Sequence, residues 1–96
     1  MNTKQRIEEL LRQTLAATVV EVEDESARHV GHAGAASGGG HYRVKIVSPL
    51  FEGKSRVARH RMVYDALAAE MQRTIHALAL TTLTPSQQLL GRELPL

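Results

Sequence analysis

Between His41 and Ser48 the side chains alternate, with Tyr42, Val44 and Ile46 on one face and Arg43 and Lys45 on the other. A period of two fits a strand with one buried face and one wet face. The chain is thereby committed to a sheet whose apolar face needs a cover. Candidates for that cover lie on both sides in sequence. Ile7, Leu10, Leu11 and Leu15 recur at helical spacing, with Asn2 as N-cap and Gln5 three residues on. Thr18 to Asp24 is β-branched and partly alternating, which predicts a strand with Val20 and Val22 on one face. Pro49 and Gly53 bracket a turn. Ser55 caps a second helix to about Arg73, whose apolar stripe reads as Val57, Tyr64, Leu67, Ala68 and Met71. Ile75 to Leu83 predicts the third strand. Thr84-Pro85-Ser86-Gln87 is a capping box with proline at the first helical position, opening a short last helix before a loose tail at residues 91–96. The expected fold class is α/β (α+β), in the order α-β-β-α-β-α, with a three-stranded sheet packed by helices.

A chain of 96 residues suits one domain with one core layer and little volume for a deep substrate cleft. The expected function is therefore binding, without catalysis. Tyr42, Phe51 and Tyr64 are the only aromatic residues, so the core is aliphatic and stacking platforms for single-stranded nucleic acid are scarce. Without cysteine there is no thiolate nucleophile, and no metal cluster held by this chain's own thiolates. Glu8 and Glu9 and the lack of a long apolar run argue against a signal or transit peptide and against a membrane span. The expectation is a soluble, cytoplasmic protein. A net charge of +2 does not by itself imply a polyanionic partner.

The five histidines are the unusual feature. His60 falls within the second helix's expected stripe and reads as a packed structural residue. His29 and His32 lie in the glycine-rich segment from Glu25 to Gly40, read as a mobile surface loop that leaves imidazoles accessible to metal. His41 begins a strand at the far end of that loop, and His76 opens the third strand. Two or three histidines make an open, incomplete metal site, which makes sense if a second molecule supplies the other ligands. Gly31-His32-Ala33-Gly34 has the G-x-x-G pattern of KH loops, but it joins two strands where a KH loop joins two helices. Ser26, His29 and Asp24 could be strung into a hydrolase triad, yet nothing on one loop would hold them in place. Lys54, Arg56, Arg59, His60 and Arg61 form the one basic cluster, with no acid between Gly53 and Tyr64. It reads as an anion or nucleic-acid contact, or as a solvated helix start that opposes the helix dipole.

Several segments together resemble the BolA family. They are Phe51-Glu52-Gly53-Lys54, Arg59-His60-Arg61-Met62-Val63-Tyr64, Ile75-His76-Ala77-Leu78-Ala79-Leu80 and Thr84-Pro85, supported by Asp24 to His29 and His41 to Val44. The resemblance spans about residues 4–88 of a single domain covering 1–96. It implies a fold like the type II KH domain without a true G-x-x-G loop. It also implies a non-enzymatic partner of monothiol glutaredoxins that shares a [2Fe-2S] cluster, in cluster trafficking or iron and redox sensing. His76 matches the family's C-terminal ligand and His29 best matches its loop ligand, with His32 and His41 as alternates. The thiolates would come from the glutaredoxin and from glutathione, with no cluster held by this chain alone, a monomer or weak homodimer. The alternative is a DNA-binding transcriptional regulator of morphology and stress response, using Lys54, Arg56, Arg59 and Arg61.

Overall fold

Asn2 and Gln5 cap each other reciprocally: the Asn2 side chain accepts from the Gln5 N–H at 2.9 Å, and the Gln5 side chain accepts from the Asn2 N–H at 3.1 Å. From this start helix α1 runs over Thr3–Leu15, and Ile7, Leu11 and Leu15 form its buried face. The helix stops at Ala16, whose φ of 50° lies in the left-handed region that favours glycine. The computed structural model describes residues 2–25 and 40–93. In it the remaining elements are β1 (Val19–Asp24), β2 (Gly40–Val47), α2 (Arg56–Ala66), α3 (Ala68–Met71), β3 (Ile75–Leu83) and α4 (Pro85–Glu93). Among the described residues no helix is long and apolar enough to cross a membrane.

The sheet order is β1-β2-β3. β1 runs antiparallel to β2, placing Val20 opposite Ile46 and Val22 opposite Val44. β3 runs parallel to β2, placing Leu80 beside Val44 and Leu78 beside Tyr42. Parallel neighbours need a long crossover, and α2 and α3 supply it. The two valines of β1 and the alternate residues of β2 join Ile7, Leu11, Phe51, Val63 and Leu67 in one buried cluster. The opposite face is polar, with Glu21 across from Lys45 and Glu23 across from Arg43.

Ser48 ties these layers together. It is fully buried. Its hydroxyl donates to the Leu15 carbonyl at 2.5 Å, and its Oγ accepts from the Leu50 N–H at 3.0 Å. The expected turn after β2 is therefore a single 3₁₀ turn, Pro49–Phe51, that drives Phe51 into the core. Gly53 closes the segment at φ 73°.

The second helix departs from expectation. It is not continuous to Arg73, because Leu67 leaves helical geometry (φ −104°, ψ 14°) and separates α2 from α3. The expected stripe holds only in part: Leu67 is buried and Met71 packs against the core, but the other three members face outward. Val57 is 66% exposed and Tyr64 40% exposed, and Ala68 is exposed too. Besides Leu67 and Met71, the inward residues are Arg59, Met62, Val63, Ala66 and Glu70. This face includes Arg59 and Glu70, so it does not read as apolar. His60 is half-buried, beside Arg59.

Candidate functional site

β2 and β3 run in the same direction, so both strands begin at one end of the sheet. The ladder is irregular there: Gly40 pairs with Ile75, but the next residue, His41, pairs with Ala77. β3 thus carries one residue more than β2, and that residue is His76. An extra residue of this kind breaks the alternation of faces and re-aims its side chain. His76 is exposed, and its ring centre lies 5.2 Å from that of His41 with the planes tilted by 47°. Two imidazoles on one tetrahedral metal, bonded through nitrogen at about 2.0–2.1 Å, hold their ring centres roughly 5 Å apart. The observed separation is of that size. The pair remains an incomplete donor set: among the described residues no group of three or more metal-ligating side chains forms.

The base of the pair is built from hydrogen bonds. Glu70 is buried, and its carboxylate accepts from the Thr74 hydroxyl at 2.8 Å and from Arg6 Nε at 3.1 Å. The Thr74 N–H in turn donates to the Glu70 carbonyl at 2.8 Å, and the Gly40 N–H donates to the Thr74 carbonyl at 2.9 Å. One acidic residue thus holds the chain just before His76 and, through Thr74, the residue just before His41. A Cβ at Gly40 would lie 2.8 Å from Tyr42 Cζ and from its hydroxyl, so any side chain there would have to displace the tyrosine ring. The other flank closes with the Glu25 N–H donating to the His41 carbonyl at 2.7 Å and Glu25 pairing with Arg43 at 3.1 Å.

The Thr74 hydroxyl bond lowers the carboxyl pKa of Glu70 below its ordinary 4.5, with burial opposing and Arg6 assisting. A lowered folded-state value means stability that is present above 4.5 and lost as pH falls through the folded value. Arg6 is half-exposed, so most of the effect rests on Thr74. Glu70→Gln should cost about 1–2 kcal/mol at neutral pH and flatten the acid limb of the stability curve. Urea midpoints of parent and variant across the acidic range would show it; parallel curves would mean that the carboxylate charge contributes nothing.

Of the ligands expected from the sequence, His76 and His41 are brought together, whereas His29 and His32 lie outside the described residues. The close pairing of His41 with His76 is not legible in their sequence positions, which differ by a whole βαβ crossover. The basic cluster divides. Lys54, Arg56 and Arg61 are exposed. Arg59 is half-buried and engaged within the fold. Its Nε donates to the Lys54 carbonyl at 3.0 Å, and one Nη donates to the Thr82 carbonyl at 3.2 Å and to Gln87 Oε1 at 2.8 Å. Its guanidinium carbon lies 5.8 Å from the Phe51 ring centre. The Thr84–Gln87 capping box is present, with the Thr84 N–H donating to Gln87 Oε1 at 2.9 Å and the Gln87 N–H to Thr84 Oγ1 at 3.2 Å.

Known proteins share this fold. The BolA-like protein family matches residues 11–87. The DNA-binding transcriptional regulator BolA of Escherichia coli (strain K12) is 46% identical over 84 residues, covering 88% of this chain and 77% of that protein. The chloroplastic/mitochondrial SufE-like protein 1 of Arabidopsis thaliana is 41% identical over 87 residues, but the chain spans only 24% of it. The crystal structure of a Bol-like protein from Babesia bovis superposes with a TM-score of 0.78 at 36% identity, covering 96% of this chain and 95% of that one. Neither "BolA-like protein" nor "DNA-binding transcriptional regulator" describes an enzyme. With the family matched over most of its length and the fold shared from end to end of the sheet, this chain belongs to the BolA-like protein family.

Proposed function

We propose that the chain is a single binding domain supplying imidazole ligands to a [2Fe-2S] cluster shared with a monothiol glutaredoxin. The glutaredoxin and glutathione provide the thiolates. The supporting observation is the His41–His76 pair, with ring centres 5.2 Å apart where β2 and β3 begin. Segment 26–39, which carries His29 and His32, leaves from and returns to that same end of the sheet through Glu25 and Gly40. His76 is the fixed donor, and the second comes from His41 or from His29 or His32. A bound cluster carries the electron; the chain's own residues orient two neutral donors in place of charged thiolates, which raises the reduction potential. The Arabidopsis relative that bears a SufE-like name supports an iron–sulfur setting.

The test is to mix the chain with cluster-loaded monothiol glutaredoxin and record visible absorption and circular dichroism. A new spectrum should saturate at one equivalent. The chain alone, reconstituted with iron and sulfide, should stay colourless, because cluster irons favour thiolate and this chain has none. A glutaredoxin spectrum unchanged by the chain would overturn the proposal.

A second reading is supported by the name of the Escherichia coli relative, a DNA-binding transcriptional regulator. The exposed Lys54, Arg56 and Arg61 would supply phosphate contacts, with affinity falling steeply as salt rises. Arg59 serves this reading less well, since its donors are engaged within the fold.

A further inference from the structure

At the opposite end of β3 from the histidines, the strand borders a groove of about 570 Å³. One wall is cationic, formed by Lys54, Arg56, Arg59 and His60; the other is β3 itself, Leu80 to Leu83, with Gln87 at its end. Among the described residues, no acidic residue lines it.

The strand wall has free backbone capacity. β3 is an edge strand, bonded on one side to β2. Direction alternates along it: the Leu83 carbonyl points inward and accepts from the Ser48 N–H at 3.0 Å, while the Thr82 carbonyl points outward and accepts from Arg59 at 3.2 Å. Because backbone groups of alternate residues share a side of the strand, the N–H and C=O of Leu80 also point outward. An outward edge of this kind is a template for another extended segment.

The geometry points to a docking site for an extended, acidic peptide segment of a partner protein, added alongside β3. Its main chain bonds to the outward groups at Leu80, and its carboxylates meet Lys54, Arg56 and His60 across the groove. Charge complementarity selects the acidic segment. The strand edge selects a peptide over a nucleic acid, because phosphates have no counterpart for alternating N–H and C=O groups. Arg59, already bonded to Thr82 and Gln87, closes the far end and holds the wall in place. This surface is separate from the histidine pair, and the inference stands or falls independently of it.

The probe is a synthetic capped peptide alternating glutamate and valine, titrated into the full chain and followed by amide NMR shifts and calorimetry. Three comparisons accompany it: a lysine–valine peptide, the acidic peptide N-methylated at alternate residues, and a short DNA duplex as competitor. Saturable binding of the acidic peptide alone is expected, with shifts confined to Lys54–His60 and Leu80–Leu83. Lys54→Glu with Arg56→Glu should weaken it at least tenfold; both residues are exposed, and an unchanged circular dichroism spectrum would show the fold intact. N-methylation should also weaken it at least tenfold. No saturable binding, equal affinity for the N-methylated peptide, or complete displacement by the duplex from the same residues would each overturn the inference.

Discussion

His76→Ala should abolish the altered visible spectrum that a cluster-loaded monothiol glutaredoxin acquires on mixing with this chain. The side chain is the extra residue of β3 and is exposed, so its removal takes away a donor and leaves the core untouched. The variant should melt within about 0.5 kcal/mol of the parent, as surface substitutions usually do. Changing groups that merely orient metal ligands costs about 10–100-fold in affinity, and loss of a direct donor should cost at least that. His41→Ala should also weaken the complex, because its ring is the neighbour of His76. Should His41→Ala leave the spectrum as it was while His29→Ala removes it, the second donor is in segment 26–39. Retention of the wild-type spectrum by His76→Ala would make the strand histidine structural and refute the ligand assignment.

How much of this was readable beforehand follows from the kind of information each element carries. The alternation of Tyr42, Val44 and Ile46 announces a half-buried strand, and the Asn2–Gln5 and Thr84–Gln87 boxes announce their helix starts. These are local patterns, and local geometry realises them. The orientation of α2 is another matter. The inward face of α2 and α3 includes Arg59 and Glu70, and each of these charges has a partner distant in sequence: Thr82 and Gln87 for the first, Arg6, beside the nearby Thr74, for the second. Hydropathy cannot anticipate such partners, and it points to Val57 and Tyr64, which face outward. The histidine pair was half-legible. Imidazoles stand out in a chain without cysteine, but only the parallel pairing of β2 with β3 makes neighbours of His41 and His76.

Phe51→Ala should be the most destabilising single substitution in the fold. Phe51 is the chain's only phenylalanine and is fully buried, held in place by the 3₁₀ turn that Ser48 caps and covered by the Arg59 guanidinium. Truncating a buried phenylalanine costs about 3–5 kcal/mol, against a total of about 5–15 kcal/mol for a typical domain. At about 4 °C or more of melting temperature per kcal/mol for a domain of this size, the loss should exceed roughly 12 °C. Phe51→Leu, which keeps much of the volume, should lose far less. Thermal melts followed by circular dichroism would decide; a Phe51→Ala variant melting within a few degrees of the parent would show that the core is not centred there.

The irregularity at the start of β3 bears on how such a site can change over generations. His76 is the surplus residue of its ladder, since Gly40–His41 already matches Ile75 and Ala77. A position outside the pairing scheme is released from the demands that pairing makes on side-chain shape and facing. It can exchange one donor atom for another, or lose its donor, without unzipping the strands beside it. The proposed ligand and the scaffold are thereby written in separable parts of the same nine-residue strand. Descendants of such a chain are free to retune what they hold while inheriting the sheet that holds it.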